Sequence, residues 1–155
     1  MKLIDIWLSG VGGYQLIWTL NRVLVGFFFI SSGYHKMFVP ARHAALVTTL
    51  KSCGIPCIKY MQWFVPGVEL FGGLGVAFGF LTVLAAIGLM GILAVATCTD
   101  GLKRIPAWGP VDEVDYADCV LYLPEVLLML LLLPIIATGS GPLSIDHFLM
   151  WALGF

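Results

Sequence analysis

Four apolar runs, each with at most one charged residue, constrain this chain more than anything else in its sequence. They cover residues 15–34, 61–80, 82–99 and 119–137. A helix needs about 20 mostly apolar residues, each rising about 1.5 Å, to cross about 30 Å of hydrocarbon. The first run has a dense core, VLVGFFFI, and carries Arg22. The second carries Glu69, the fourth Glu125 and the third no charge. None shows the period-2 alternation of a membrane barrel. The expectation is an all-α polytopic membrane protein, a single domain over residues 1–155 built as a four-transmembrane-helix bundle.

Composition excludes the other classes. Apolar residues make up 60% and charged residues 11%, against about 45–50% and about 25% in a soluble domain. That rules out a water-soluble monomer, a disordered chain and a nucleic-acid binder. A net charge of −1 gives no field to draw in polyanions.

Residues 1–13 hold an early Asp5 and no long apolar core, so they do not read as a cleavable signal. Trp7, Tyr14 and Trp18 read as an interfacial lead-in. At the other end, residues 139–155 are too short to span and are expected along the interface or docked on the bundle. The turn at 79–82 is tight enough to make the second and third helices a hairpin. Gly75 and Gly79 fit a small-xxx-small contact. Residues 35–60 and 100–117 read as loops.

Four crossings put both termini on one face, A, and those two loops on the other, B. Face B carries Lys36, Arg42, Lys51, Lys59, Lys103 and Arg104, and face A only Lys2. Basic short loops tend to stay cytoplasmic, which places B in the cytoplasm and both termini outside. All four cysteines also fall near B, as an oxidising face would favour.

A charge in hydrocarbon costs at least about 2.5 kcal/mol, so each needs a partner or a purpose. Glu69 and Glu125 lie at similar depths from face B, and Tyr34, His35 and Lys36 end the first helix on that side. The expectation is that Lys36, His35, Glu69 and Glu125 converge. They would form a structural polar cluster or a site for a polar head: a quinone ring, a sulfur oxyanion or a lipid headgroup. A metal site from Glu69, Glu125 and His35 lacks a spaced motif, and no metal is expected. Arg22, toward face A, is expected to snorkel or to bond carbonyls near residues 140–146.

Cys53 and Cys57 sit in SCGIPC, while Cys98 and Cys119 flank the 100–117 loop. Four readings stand for these thiols: inert, disulfide-forming, redox-active or, on a spacing weak for it, zinc-binding. His35, His43 and His147 offer no haem pair on a shared helix.

Several landmarks together resemble the DoxX family of four-helix bacterial membrane proteins. The first helix is similar to its R-x3-G-x2-F-x3-G-x2-K opening on Arg22, Gly26, Phe29, Gly33 and Lys36. Gly54–Pro56 resembles its loop, and Glu69, Gly72 and Gly73 its E-x2-G-G core. PEVLLMLLLL, with Glu125, resembles its fourth helix. GSGPLSIDH resembles its closing G-x-G-x-x-S-x-D on Gly139, Gly141, Ser144 and Asp146. The 100–117 loop and the four cysteines depart from the general pattern, and the cysteines tilt toward redox-associated branches.

The resemblance implies a four-helix bundle linked to respiratory or sulfur redox chemistry. In the closing segment, Gly139 and Gly141 let the chain turn and Pro142 stops the helix. Ser144 or Asp146 then caps a short helix, and Asp146 is a candidate partner for Arg22. Two functional expectations follow. One is a redox-associated component whose B-side pocket of Lys36, Glu69 and Glu125 meets a quinone or sulfur compound, with Cys53, Cys57, Cys98 and Cys119 carrying or gating electrons. The other is a non-catalytic subunit docking on a larger membrane complex, or on a second copy, through Trp63, Trp108, Trp151 and the 100–117 loop. Membrane lipid is the expected environment in both.

Overall fold

The computed structural model describes residues 11–105, 113–141 and 144–153, all but a few of them helical, with no strand among them. The side chains of 11–14, 113–115, 151 and 153 are outside the description. Trp7 and Trp108, and the side chains of Tyr14 and Trp151, therefore lie outside it.

Helix α1 (Val11–Phe38) leads into α2 (Pro40–Ser52), where Pro40 occupies a first-turn position that needs no N–H donor. The 35–60 segment is thus not a loop, because α2 fills half of it. After Cys57, in the left-handed region at φ 55°, α3 (Ile58–Phe78) begins. It ends at Gly79, whose φ of 73° suits a residue without Cβ.

Helix α4 (Thr82–Arg104) is α-helical to Ala96, passes through a π turn over Thr97–Gly101 and closes with Leu102–Arg104. It therefore runs five residues beyond the expected end. The expected fourth run is two helices, α5 (Glu113–Leu121) and α6 (Pro124–Thr138). Pro124 enforces that break, since Leu123 before it is held extended at ψ 127°. Helix α7 (Ile145–Leu153) closes the chain.

Helices α1, α3, α4 and α6 pack in sequence, with α1 most extensively on α3 and α6 returning to α1. The buried residues of α1 include Arg22, Gly26, Phe29 and Gly33, with Lys36 next in the series. Their alternating spacing of four and three residues puts them on one helical face. That face meets α3 at backbone distance. A Cβ on Gly33 would come within 2.5 Å of Leu70 N, and one on Gly26 within 2.6 Å of Ala77 N. Gly73 returns the contact, 2.7 Å from Ile30 N. In lipid there is no hydrophobic drive between helices, so such close approach is what holds a pair together. The core between α1, α3, α4 and α6 is Val25, Phe29, Val76, Ala86, Leu89, Leu93, Leu132 and Ile135.

Two helices, Gln15–Phe38 and Thr82–Arg104, are long and apolar enough to cross a membrane, and Pro124–Thr138 is a shorter apolar helix. Large side chains including Phe27, Phe71, Phe78, Leu84 and Leu133 stay exposed. A soluble domain would bury them.

Candidate functional site

Charged side chains gather at the two ends of this assembly. At end B, Lys36 Nζ lies 2.6 and 2.7 Å from the two carboxylate oxygens of Glu69. Ser32, one turn back on α1, donates to Oε2 at 3.0 Å. The Glu69 side chain is 6% exposed and that of Lys36 32%. The carboxylate is thus deep and fully engaged, while the ammonium reaches it from the rim.

Glu125 does not join this pair; Arg104 Nη2 donates to its Oε1. Arg104 Nε also meets Asp100 at 3.2 Å, one turn back. The reason is the π turn: it carries α4 past its expected end and so delivers Asp100 and Arg104 to the start of α6. Glu125 Oε2 is buried without a hydrogen-bond partner among the described residues. His35 also stays apart, with Nδ1 donating to Ser31 O at 2.6 Å. The expected convergence of Lys36, His35, Glu69 and Glu125 is thus divided in two by geometry. His43 instead stands beside Lys36: its Nδ1 donates to Lys36 O at 2.9 Å and its ring stacks on Trp63 at 4.7 Å.

All four thiols are free. Cys53, the C-cap of α2, donates its S–H to Thr99 O at 3.5 Å. That contact sets the Cys53–Cys57 turn against the π turn that contains Cys98. Cys57 and Cys98 are exposed, and Cys53 and Cys119 are half-buried. Among the described residues no group of three His, Cys, Asp or Glu side chains is placed to hold a metal.

End A is held by the closing segment. Arg22, 5% exposed, donates to Ser140 O. Asp146 does not cap its own helix. Its carboxylate accepts Leu81 N–H at 2.9 Å, Thr82 N–H at 3.2 Å and the Thr82 hydroxyl at 3.1 Å, so it caps α4. It also interacts electrostatically with Arg22. Ser144 caps α7, accepting His147 N–H at 3.1 Å. Gly79 makes the junction possible: a Cβ there would lie 2.5 Å from Ser144 Cβ and 2.7 Å from Arg22 Nη1. Gly139 and Gly141, at φ 73° and 69°, turn the chain out of α6.

Sequence reasoning missed Ser32, Thr82 and the Asp100–Arg104 pair. The i,i+4 spacings of Ser32 with Lys36 and of Asp100 with Arg104 were available signals. The role of Thr82 was not, because its partner lies 64 residues away.

Two cavities lined by described residues bear on these ends. One of 60 Å³ at end A is lined by Arg22, Gln15, Trp18, Thr19, Thr138 and residues 139–141. The other, 610 Å³ and apolar, runs between α3 and α4 over Phe71, Gly72, Gly75, Leu84 and Gly88. Neither is lined by Lys36, Glu69 or Glu125.

An all-helical chain with two membrane-length helices and paired charges at its ends has the character of a membrane protein. The DoxX family model matches residues 17–100, more than half of the sequence, and the chain belongs to that family. No curated protein and no solved structure matches it.

Proposed function

We propose that the chain is a four-span protein of the bacterial inner membrane that serves as a redox-associated component of a respiratory or sulfur- and thiol-linked system, with its chemistry at end B. In this reading α3 and α6 complete the crossings begun by α1 and α4. The observation that carries the redox reading is the Cys53 Sγ contact with Thr99 O. It joins two cysteine-bearing segments from distant parts of the sequence. Oxidising two such thiols to a disulfide releases two protons and two electrons, which a quinone would take up as the quinol. Lys36 commits two donor contacts to Glu69 and is a third exposed, so a quinone carbonyl or other small polar ligand would approach there.

The test uses the protein in nanodiscs, supplied with a dithiol and a soluble quinone. Quinol formation that falls to background when Cys53, Cys57, Cys98 and Cys119 are changed to Ser supports the reading. An unchanged rate, or none in the wild type, ends it.

A second reading, a non-catalytic subunit of a larger membrane complex, is favoured by the 610 Å³ apolar groove. Its occupant would be a helix of that complex. A chain that leaves native membranes in mild detergent alone and monodisperse counts against it.

A further inference from the structure

We propose that the apolar groove between α3 and α4 is a lipid site at end A, holding one acyl chain of a phospholipid from that leaflet. The proposal rests on the membrane part of the first reading above and on none of the cysteines. It takes the place of the helix that the second reading would seat there. Three glycines leave the groove open, Gly72 and Gly75 on α3 and Gly88 on α4. Phe71, Phe78 and Leu84, each more than half exposed, form its rim. A Cβ on Gly88 would first meet Val68 Cγ1, at 3.6 Å. The volume of 610 Å³ lies within the range of small-molecule sites, about 300–1,000 Å³.

Depth selects the occupant. The lining on α3 runs from Val68 to Phe78, about 15 Å at about 1.5 Å per residue. On α4 it runs only from Leu84 to Gly88, and Phe80, Leu81 and Ile145 close the end-A side. Residues 58–67 of α3 and 89–104 of α4 take no part. The groove therefore begins at the polar junction of Asp146 with Leu81 and Thr82, and it stops about halfway through about 30 Å of hydrocarbon. An acyl chain of one leaflet has that reach. A spanning helix would need the groove to continue to end B. A second copy docked about a two-fold axis would set the same hollow against this one and leave both unfilled. The lining side chains are all apolar and offer water no partners. An empty groove would lose dispersion contacts along its whole wall, and a flexible hydrocarbon chain supplies them.

The test places the protein in nanodiscs with a minor share of phosphatidylglycerol that carries a photoactivatable diazirine midway along one acyl chain. Labelled residues are located by mass spectrometry. Gly88→Leu fills the groove, since a Cβ there has room beside Val68. Gly91→Leu is the control: the same change one turn on, where a Cβ meets nothing within 4 Å and no groove is lined. In the wild type, residues 68–88 should label about fivefold more strongly than the exposed Phe27 and Leu133, a bias that about eight extra atom contacts supply. Gly88→Leu should lower that labelling to the level at Phe27 and Leu133, and Gly91→Leu should leave it unchanged. An inserted wild type without the excess, or an excess that survives Gly88→Leu, overturns the site and leaves the membrane reading standing. A chain that does not enter the nanodiscs ends the membrane reading together with the site. In native membranes, photoreactive benzoylphenylalanine in place of Leu84 should cross-link to lipid. Cross-linking to a second copy or to another chain overturns the proposal.

Discussion

The Lys36 ammonium lies between both carboxylate oxygens of Glu69, yet the two residues differ in their access to water. Glu69 is 6% exposed and Lys36 32%. Removing one member leaves the other uncompensated, and only the lysine can relieve that by turning outward. We expect Lys36→Met to cost about 3 kcal/mol, the range for an orphaned buried charge. Glu69→Gln should cost less than half as much, because the lysine can snorkel. The double variant Lys36→Met with Glu69→Met should recover most of the loss. Thermal unfolding in detergent across this cycle checks all three.

The glycine face of α1 makes an opposite pair of predictions. Gly33→Ala would drive a Cβ to 2.5 Å from Leu70 N, so α1 and α3 must separate and the melting temperature should fall sharply. Gly91→Ala meets nothing within 4 Å, and should gain up to about 1 kcal/mol from helix propensity. The same thermal assay reads both.

At end A, Asp146→Ala removes the acceptor for Leu81 N–H and Thr82 N–H. Leu81 is a bulky residue at φ 47°, a strained conformation that the carboxylate helps to hold. We expect a loss of about 1–2 kcal/mol, as for a deleted helix cap. Hydrogen exchange should quicken first at Leu81 and Thr82. Unchanged protection there would remove the capping role.

At end B, the Arg104 pairs should differ in weight. Asp100 is 39% exposed and Glu125 17%. Asp100→Asn should cost no more than about 0.5 kcal/mol, the value of an exposed i,i+4 pair. Glu125→Gln should cost several times as much. Equal costs in a denaturant melt would mean that Arg104 does not depend on Glu125.

Orientation is testable through Cys57, which is exposed at end B. If B is cytoplasmic, as the distribution of basic residues leads one to expect, a membrane-impermeant maleimide should label Cys57 only after cells are opened. Labelling of intact cells would reverse the topology.

The all-helical character and the rough extents of α1, α3 and α4 were legible because burial in lipid demands long stretches without charge, and such stretches are local. The glycine and charge positions of α1 were legible as a family pattern, and their spacing already places them on one face. Helix α2 was not visible, since a short helix of low hydropathy carries no apolar run to mark it. The start of α6 was misplaced because an apolar run continues across Tyr122–Pro124, where the backbone breaks.

The sequence by itself determined that each isolated charge would need a partner. For Arg22 it also pointed to the carbonyls near residues 140–146, where Ser140 O accepts its hydrogen bond; for the other charges tertiary structure decided which partner each took. The π turn extends and rotates the end of α4, bringing Arg104 to Glu125 and leaving Lys36 to Glu69. Asp146 reaches Thr82 rather than its own helix because the glycine turns after α6 bring the start of α7 to the turn between α3 and α4. Such pairings depend on three-dimensional distance between segments dozens of residues apart, and no local spacing encodes that distance.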